Sequence, residues 1–168
     1  LGLLLQAASP LSALAAEDTS GAAQVAPVSS LIVRDGDSDN YATVKYTLNH
    51  YADGSVSWEN GKKPFEGIDV KYDTATSTFV FTGTLSLPES EKPFVNLTCT
   101  DPKTDSIKLD GNGDSAVGAA LTVGFPSQTR GAKNITIVTD SNSSAAIRGY
   151  ACLDCYGNVV IENPSGKV

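Results

Sequence analysis

From Leu31 onward the chain alternates apolar and polar residues with a period of two, and turn-forming residues break the alternation about every ten positions. Val44, Tyr46 and Leu48 alternate with Lys45 and Thr47. Ile68, Val70 and Tyr72 follow the same rule, as do Phe79, Phe81, Leu85 and Leu87 against Thr82, Thr84 and Ser86. Such a pattern puts every apolar side chain on one face of an extended strand, whereas a helix needs apolar residues three and four apart. Asp53-Gly54 supplies hairpin turn chemistry between Leu48 and Val56, and Asp73–Ser77 turns the chain into Phe79. Further short strands are expected at Leu31–Arg34, Phe94–Thr100, Ile107–Leu109, Asn134–Thr139, Ile147–Cys152 and Asn158–Ile161; Val117–Phe125 suits a strand or a short helix. About nine or ten strands at this spacing predict an all-β fold, an antiparallel β-sandwich of two sheets. No internal sequence repeat stands out.

The first thirty residues, LGLLLQAASPLSALAAEDTSGAAQVAPVSS, do not share this pattern, so the chain divides into an N-terminal extension (1–30) and a sandwich domain (31–168). The head is uncharged from Leu1 to Ala16. Leu1, Leu3 and Leu5 share one face of an extended segment, while Leu1, Leu4, Leu5, Leu11 and Leu14 share a helical stripe that Pro10 interrupts. The apolar run is shorter than the roughly 20 residues that span a bilayer. Ala13-Leu14-Ala15 is a small-x-small site of the kind that ends a secretory signal peptide, but a basic segment ahead of the apolar run is missing. Retained, the head needs an apolar partner. A strand added to the open sheet edge of another copy would provide one and would link copies into a fibre, with Leu1, Leu3, Leu4, Leu5, Leu11 and Leu14 as subunit contacts.

Composition excludes some functions. Among 168 residues, 12 Lys and Arg face 19 Asp and Glu, for a net charge of -7. That sign opposes phosphate backbones and anionic lipid, so no nucleic-acid partner is expected. Three sequons, at Asn96, Asn134 and Asn142, agree with an exported, extracellular or cell-surface glycoprotein. Asn96 and Thr98 are expected to point outward, opposite Val95, Leu97 and Cys99.

Three cysteines, Cys99, Cys152 and Cys155, leave one thiol over. A disulfide from Cys99 to Cys152 or Cys155 would stabilise by roughly 4 to 5 kcal/mol on the chain-entropy model; a bond between Cys152 and Cys155 is the other pairing considered. A zinc set of Cys99, Cys152, Cys155 and His50 has an accepted composition but scattered spacing. Two Asp-rich turns suit calcium: Asp35, Asp37 and Asp39 in one, Asp110, Asn112 and Asp114 in the other. Both depart from an EF-hand loop, with Asn40 and Ser115 at the sixth position and Tyr46 and Leu121 at the twelfth. No catalytic residues are assigned: the single histidine, His50, has no nucleophile-elbow serine near it, and no phosphate-cradling glycine loop opens a helix. Trp58 is expected in the core, and Tyr41, Tyr51 and Tyr156 are the aromatic residues open to a sugar.

The closing stretch CYGNVVIENPSGKV (Cys155–Val168) is similar in cadence to the last strands of type IV pilin-like and pseudopilin proteins. The head departs from that family, carrying Leu5 where the family has an acid and Pro10 where its helix continues. It is closer to donor-strand filament subunits, in which a tail completes a neighbour's sheet. These resemblances imply an immunoglobulin-like or pilin-like sandwich, no enzymatic activity, no cofactor, and a homopolymer forming an extracellular surface filament or pilus. The alternative is a secreted module binding carbohydrate, such as cell-surface glycans, or calcium, its first sixteen residues a signal remnant. A redox or zinc enzyme using Cys152 and Cys155 comes third.

Overall fold

The hairpin predicted around Asp53-Gly54 shows how local chemistry sets the first elements. In the computed structural model, which describes residues 25–37, 40–64, 66–83, 93–110, 121–124, 130–138 and 152–162, β1 (Ser29–Asp37) pairs antiparallel with β2 (Asn40–His50), which pairs antiparallel with β3 (Val56–Trp58). At the second turn the Tyr51 carbonyl accepts from the Gly54 amide (2.9 Å), and Asp53 Oδ1 accepts from the Ser55 amide and hydroxyl. Gly54 sits at φ +86°, a conformation glycine adopts without a Cβ penalty. After a short 3-10 turn at Glu59–Gly61, β4 (Asp69–Asp73) and β5 (Thr78–Thr82) form a second antiparallel hairpin. Its turn is closed by the Asp73 carboxylate, which accepts from the Ala75 amide and the Thr76 hydroxyl.

Beyond β5 the strands are β6 (Pro93–Cys99), β7 (Ser106–Asp110), β8 (Leu121–Val123), β9 (Ile135–Val138), β10 (Cys152–Leu153) and β11 (Val159–Glu162). One sheet has the order β10-β8-β6-β1-β2-β3 and the other β11-β9-β7-β5-β4. From β5 to β11 the chain therefore crosses to the opposite sheet after every strand. Strands that neighbour one another come from successive circuits of roughly 25 to 30 residues, and they run the same way: β5, β7, β9 and β11 pair parallel, as do β6, β8 and β10.

This corrects part of the sequence expectation. The all-β class, two sheets and a shared core are present, but antiparallel pairing holds only for β1 with β2 and β6, for β2 with β3, and for β4 with β5. An immunoglobulin-type arrangement, antiparallel in both sheets, does not describe these pairings. The reason is that a period of two reports which face a residue takes and is blind to the direction of the neighbouring strand. The domain also begins earlier than position 31. Ser29 and Ser30 are buried in β1, and the Val28 amide already donates to the His50 carbonyl (2.8 Å).

The core draws on both sheets. Leu31, Val33, Leu48, Val95, Leu97, Cys99 and Val123 come from one side; Val70, Phe79, Phe81, Ile107, Leu109, Ile135 and Ile137 come from the other. Trp58 packs against this cluster as expected. In the second sheet the register stacks apolar residues into two columns, Phe79–Ile107–Ile135–Val159 and Phe81–Leu109–Ile137–Ile161. Each fully buried member contributes about 1.5–3 kcal/mol of transfer free energy.

Candidate functional site

Stacking of His50 on Tyr72 fixes which ends of the two sheets coincide. At that end lie the β2–β3 and β4–β5 turns and residues 100–105; at the other lie Asp37, Asp110 and Glu162. The described members of the predicted calcium sets thus share an end of the molecule, and all three lie in strands. Asp35 sits within β1, opposite Val44 and Val95, Asp37 pairs with Asn40, and Asp110 closes β7 beside Thr82 and Val138. Asp39, Asn112 and Asp114 lie outside the described residues, as do Asn142, the subunit contacts Leu1, Leu3, Leu4, Leu5, Leu11 and Leu14, and all of the extension before Val25. Among the described residues no group of three or more His, Cys, Asp or Glu side chains is placed to hold a metal, so Cys99, Cys155 and His50 are not brought together as a zinc set.

The cysteine expectation is corrected by the backbone. Cys99 is a buried free thiol and Cys155 a half-buried one. Between them runs the 131–132 segment: the Cys99 amide donates to the Gly131 carbonyl (2.7 Å), and Ala132 bridges to Cys155. Two strand spacings separate Cys99 from Cys155, about 9–10 Å, beyond the reach of a disulfide. The main chain of Cys152, beside Thr122 and hence two strands from Asn96, is no better placed for Cys99. Burial, reinforced by the negative charges of Asp105 and Asp101, pushes the Cys99 thiol up, which makes it a poor nucleophile. Gly131 is what lets the intervening segment close in, since a Cβ there would meet the Gly124 amide nitrogen at 2.6 Å.

The sequons divide in the same way. Asn96 does point away from Val95 and Leu97, but it is fully buried (0% exposed). Its Nδ2 donates to the Thr122 carbonyl (3.4 Å) and its Oδ1 accepts from Thr98 Oγ1 (3.1 Å). A glycan on that nitrogen has no room in the folded domain, which corrects the expectation of an accessible sequon. Asn134 is half-buried, and its Oδ1 accepts from the Asn158 amide (2.8 Å).

No reading of the sequence singled out the polar cluster at the turn-bearing end. The His50 ring is sandwiched by Tyr72 at 3.5 Å and edged by Phe79 at 6.3 Å, and its Nδ1 lies 3.3 Å from Ser29 Oγ. Tyr72 donates its hydroxyl proton to Asp105 Oδ1 (2.7 Å). Burial first, then that hydrogen bond, pushes the Tyr72 phenol up to about 12. Asp105 is 1% exposed and its second oxygen, Oδ2, has no hydrogen-bond partner. Serine, histidine and aspartate are therefore neighbours, but the carboxylate is committed to Tyr72 and does not orient the imidazole, as nucleophilic catalysis requires. The cluster is a joint: Ser29 and His50 belong to one sheet, Tyr72 and Asp105 to the other, and their contacts tie the two together.

At the far side of the stack stands β11. Val159 and Ile161 occupy columns whose other members are 0–2% exposed, yet they are each 43% exposed, with Val160 between them at 42%. Among the described residues β11 pairs only with β9, so the columns run out at an open sheet edge. Other candidate surfaces are weaker. Tyr156 is exposed, with Arg130 and Lys103 at 5.0 and 5.9 Å from its ring, but Tyr51 lies at the opposite edge, beside β3, and the side chain of Tyr41 is outside the description, so no shared aromatic platform forms. No helix among the described residues is long and apolar enough to cross a membrane. No protein-family model, curated protein or solved structure matches this chain.

Proposed function

We propose that this chain is a non-enzymatic structural subunit of an extracellular surface filament, built from copies of itself by adding strands to open sheet edges. The single observation that supports the reading is the end of the apolar columns: Val159 and Ile161 carry the side chains of buried positions and stand uncovered. An isolated, flat, apolar edge is a hazard that monomeric β-proteins blunt with charge. The opposite edge, β4, follows that rule, with Asp69, Lys71 and Asp73 exposed along it, whereas β11 from Val159 to Ile161 carries no charge. The N-terminal extension is the connector that the sequence nominates. Sedimentation of the full chain across a concentration series tests the reading. Assembly that grows with concentration and is lost in Ile161→Lys supports it; a chain that stays monomeric throughout removes it.

A further inference from the structure

Resting on that reading, we propose that β11 is the acceptor edge and that Leu1–Leu5 of a second copy is the strand that covers it, with Leu1, Leu3 and Leu5 facing the core. Among the described residues four strands lie at sheet edges: β3, β4, β10 and β11. β10 has two residues, β3 runs straight into the 3-10 turn at Glu59–Gly61, and β4 is guarded by its charges. β11 offers the uncharged run Val159–Ile161 and two apolar columns spaced two residues apart. An occupant must bring large apolar side chains at alternate positions and no charge, because the columns it extends are hydrocarbon throughout. LGLLL meets both requirements.

Reach permits the contact. The description begins at Val25, exposed and at the same end of the molecule as the start of β11, and residues 1–24 lie ahead of it. Extended, they span about 80 Å at ~3.3 Å per residue, which clears a neighbouring domain. Val159, Val160 and Ile161 stay exposed in the single chain, so the cover comes from another. A strand placed there gives β11 main-chain partners on its free side and closes both columns with Leu side chains.

The test uses the full chain and, as probe, a synthetic peptide of its first eight residues, LGLLLQAA. Wild-type protein is expected to form multimers that the peptide dissociates to monomer, with hydrogen exchange at the amides of Val159 and Ile161, which face away from β9, slowed about ten-fold or more in the peptide complex. Leu3→Asp is expected to abolish assembly as fully as Ile161→Lys, with the folding of each variant checked by its urea midpoint. Multimers that survive Leu3→Asp but not Ile161→Lys overturn this proposal while leaving the filament reading intact, since another strand then fills the edge. A monomer whose Val159 and Ile161 amides are already protected without peptide also overturns it, because the head then covers its own chain. Absence of any multimer in the wild type, with those two amides unprotected, overturns the filament reading itself.

Discussion

Asp105 is the residue on which the turn-bearing end depends. Its Oδ1 receives the Tyr72 hydroxyl and its main chain is held at both ends, the amide donating to Asp101 and the carbonyl accepting from Lys133. Tyr72→Phe deletes the one side-chain hydrogen bond to a carboxylate that is already buried with a bare oxygen. The expected cost is about 1–3 kcal/mol, read as a lowered urea midpoint. Alkali tests the same contact. Tyr72 titrates near 12 when folded and near 10 when unfolded, so the folded state holds the proton longer. Stability from this group is complete below about pH 10 and falls as pH rises toward 12, and Tyr72→Phe should flatten that part of the profile. The turn carboxylates behave in the opposite sense. Hydrogen bonds from Ser55 lower the Asp53 pKa, and those from Thr76 and Ala75 lower that of Asp73. Their contribution is present above the ordinary carboxylate range and is lost as pH falls through their folded values, so Asp53→Ala should flatten the acid limb of a urea-midpoint profile. Little of this cluster was legible beforehand: Tyr72 and Asp105 are 33 positions apart, and nothing in either neighbourhood marks them as partners. His50 was noticed for its type alone.

At the scale of elements, the columns of the second sheet give a graded series. Ile137 and Ile161 have the same side chain, the same face and adjacent rungs, but one is 1% and the other 43% exposed. Ile137→Ala should cost about 2–5 kcal/mol, in the range of buried truncations. Ile161→Ala should cost under about 1 kcal/mol in the isolated chain, and thermal or urea unfolding of the two variants checks the contrast. Gly131→Ala should destabilise by about 1–3 kcal/mol, since the added carbon meets main chain that cannot turn away. Element positions were readable where alternation and turn chemistry coincide: Tyr46 and Leu48, the Asp53-Gly54 turn, and the Phe79–Phe81 strand all fall where they were expected. What alternation does not encode is the identity of the neighbour. Ile107 reads the same whether it lies beside an antiparallel or a parallel strand, and here its neighbours are Phe79 and Ile135, each 28 positions away and both parallel. The disulfide expectation failed for the same reason, because nothing local places residues 131–132 between Cys99 and Cys155.

For the whole molecule, the two-sheet stack makes stability directional. Strands in the middle, β5, β7 and β9, are covered on both sides, while β11 is covered on one. Amide exchange should therefore be slowest in β7 and fastest in β11, a gradient rather than a single global rate, because stacked units contact only their neighbours. Uniform protection across β7, β9 and β11 would contradict this. The all-β class was legible as a sum of short alternating segments. The circuit was not legible, since Thr78 beside Ser106 and Ile135 beside Val159 share a shape requirement without a shared motif.

Among the described strands, the change of sheet after each one from β5 on has a consequence for how the polypeptide is made. The two hairpins formed by β1, β2 and β3 and by β4 and β5 involve only residues from the first half of the chain. Each later strand from β7 on lies against one already synthesised. Winding can therefore keep pace with translation from front to back, every new layer meeting a finished template, and β11, with a neighbour on one side among the described strands, is a template in its turn.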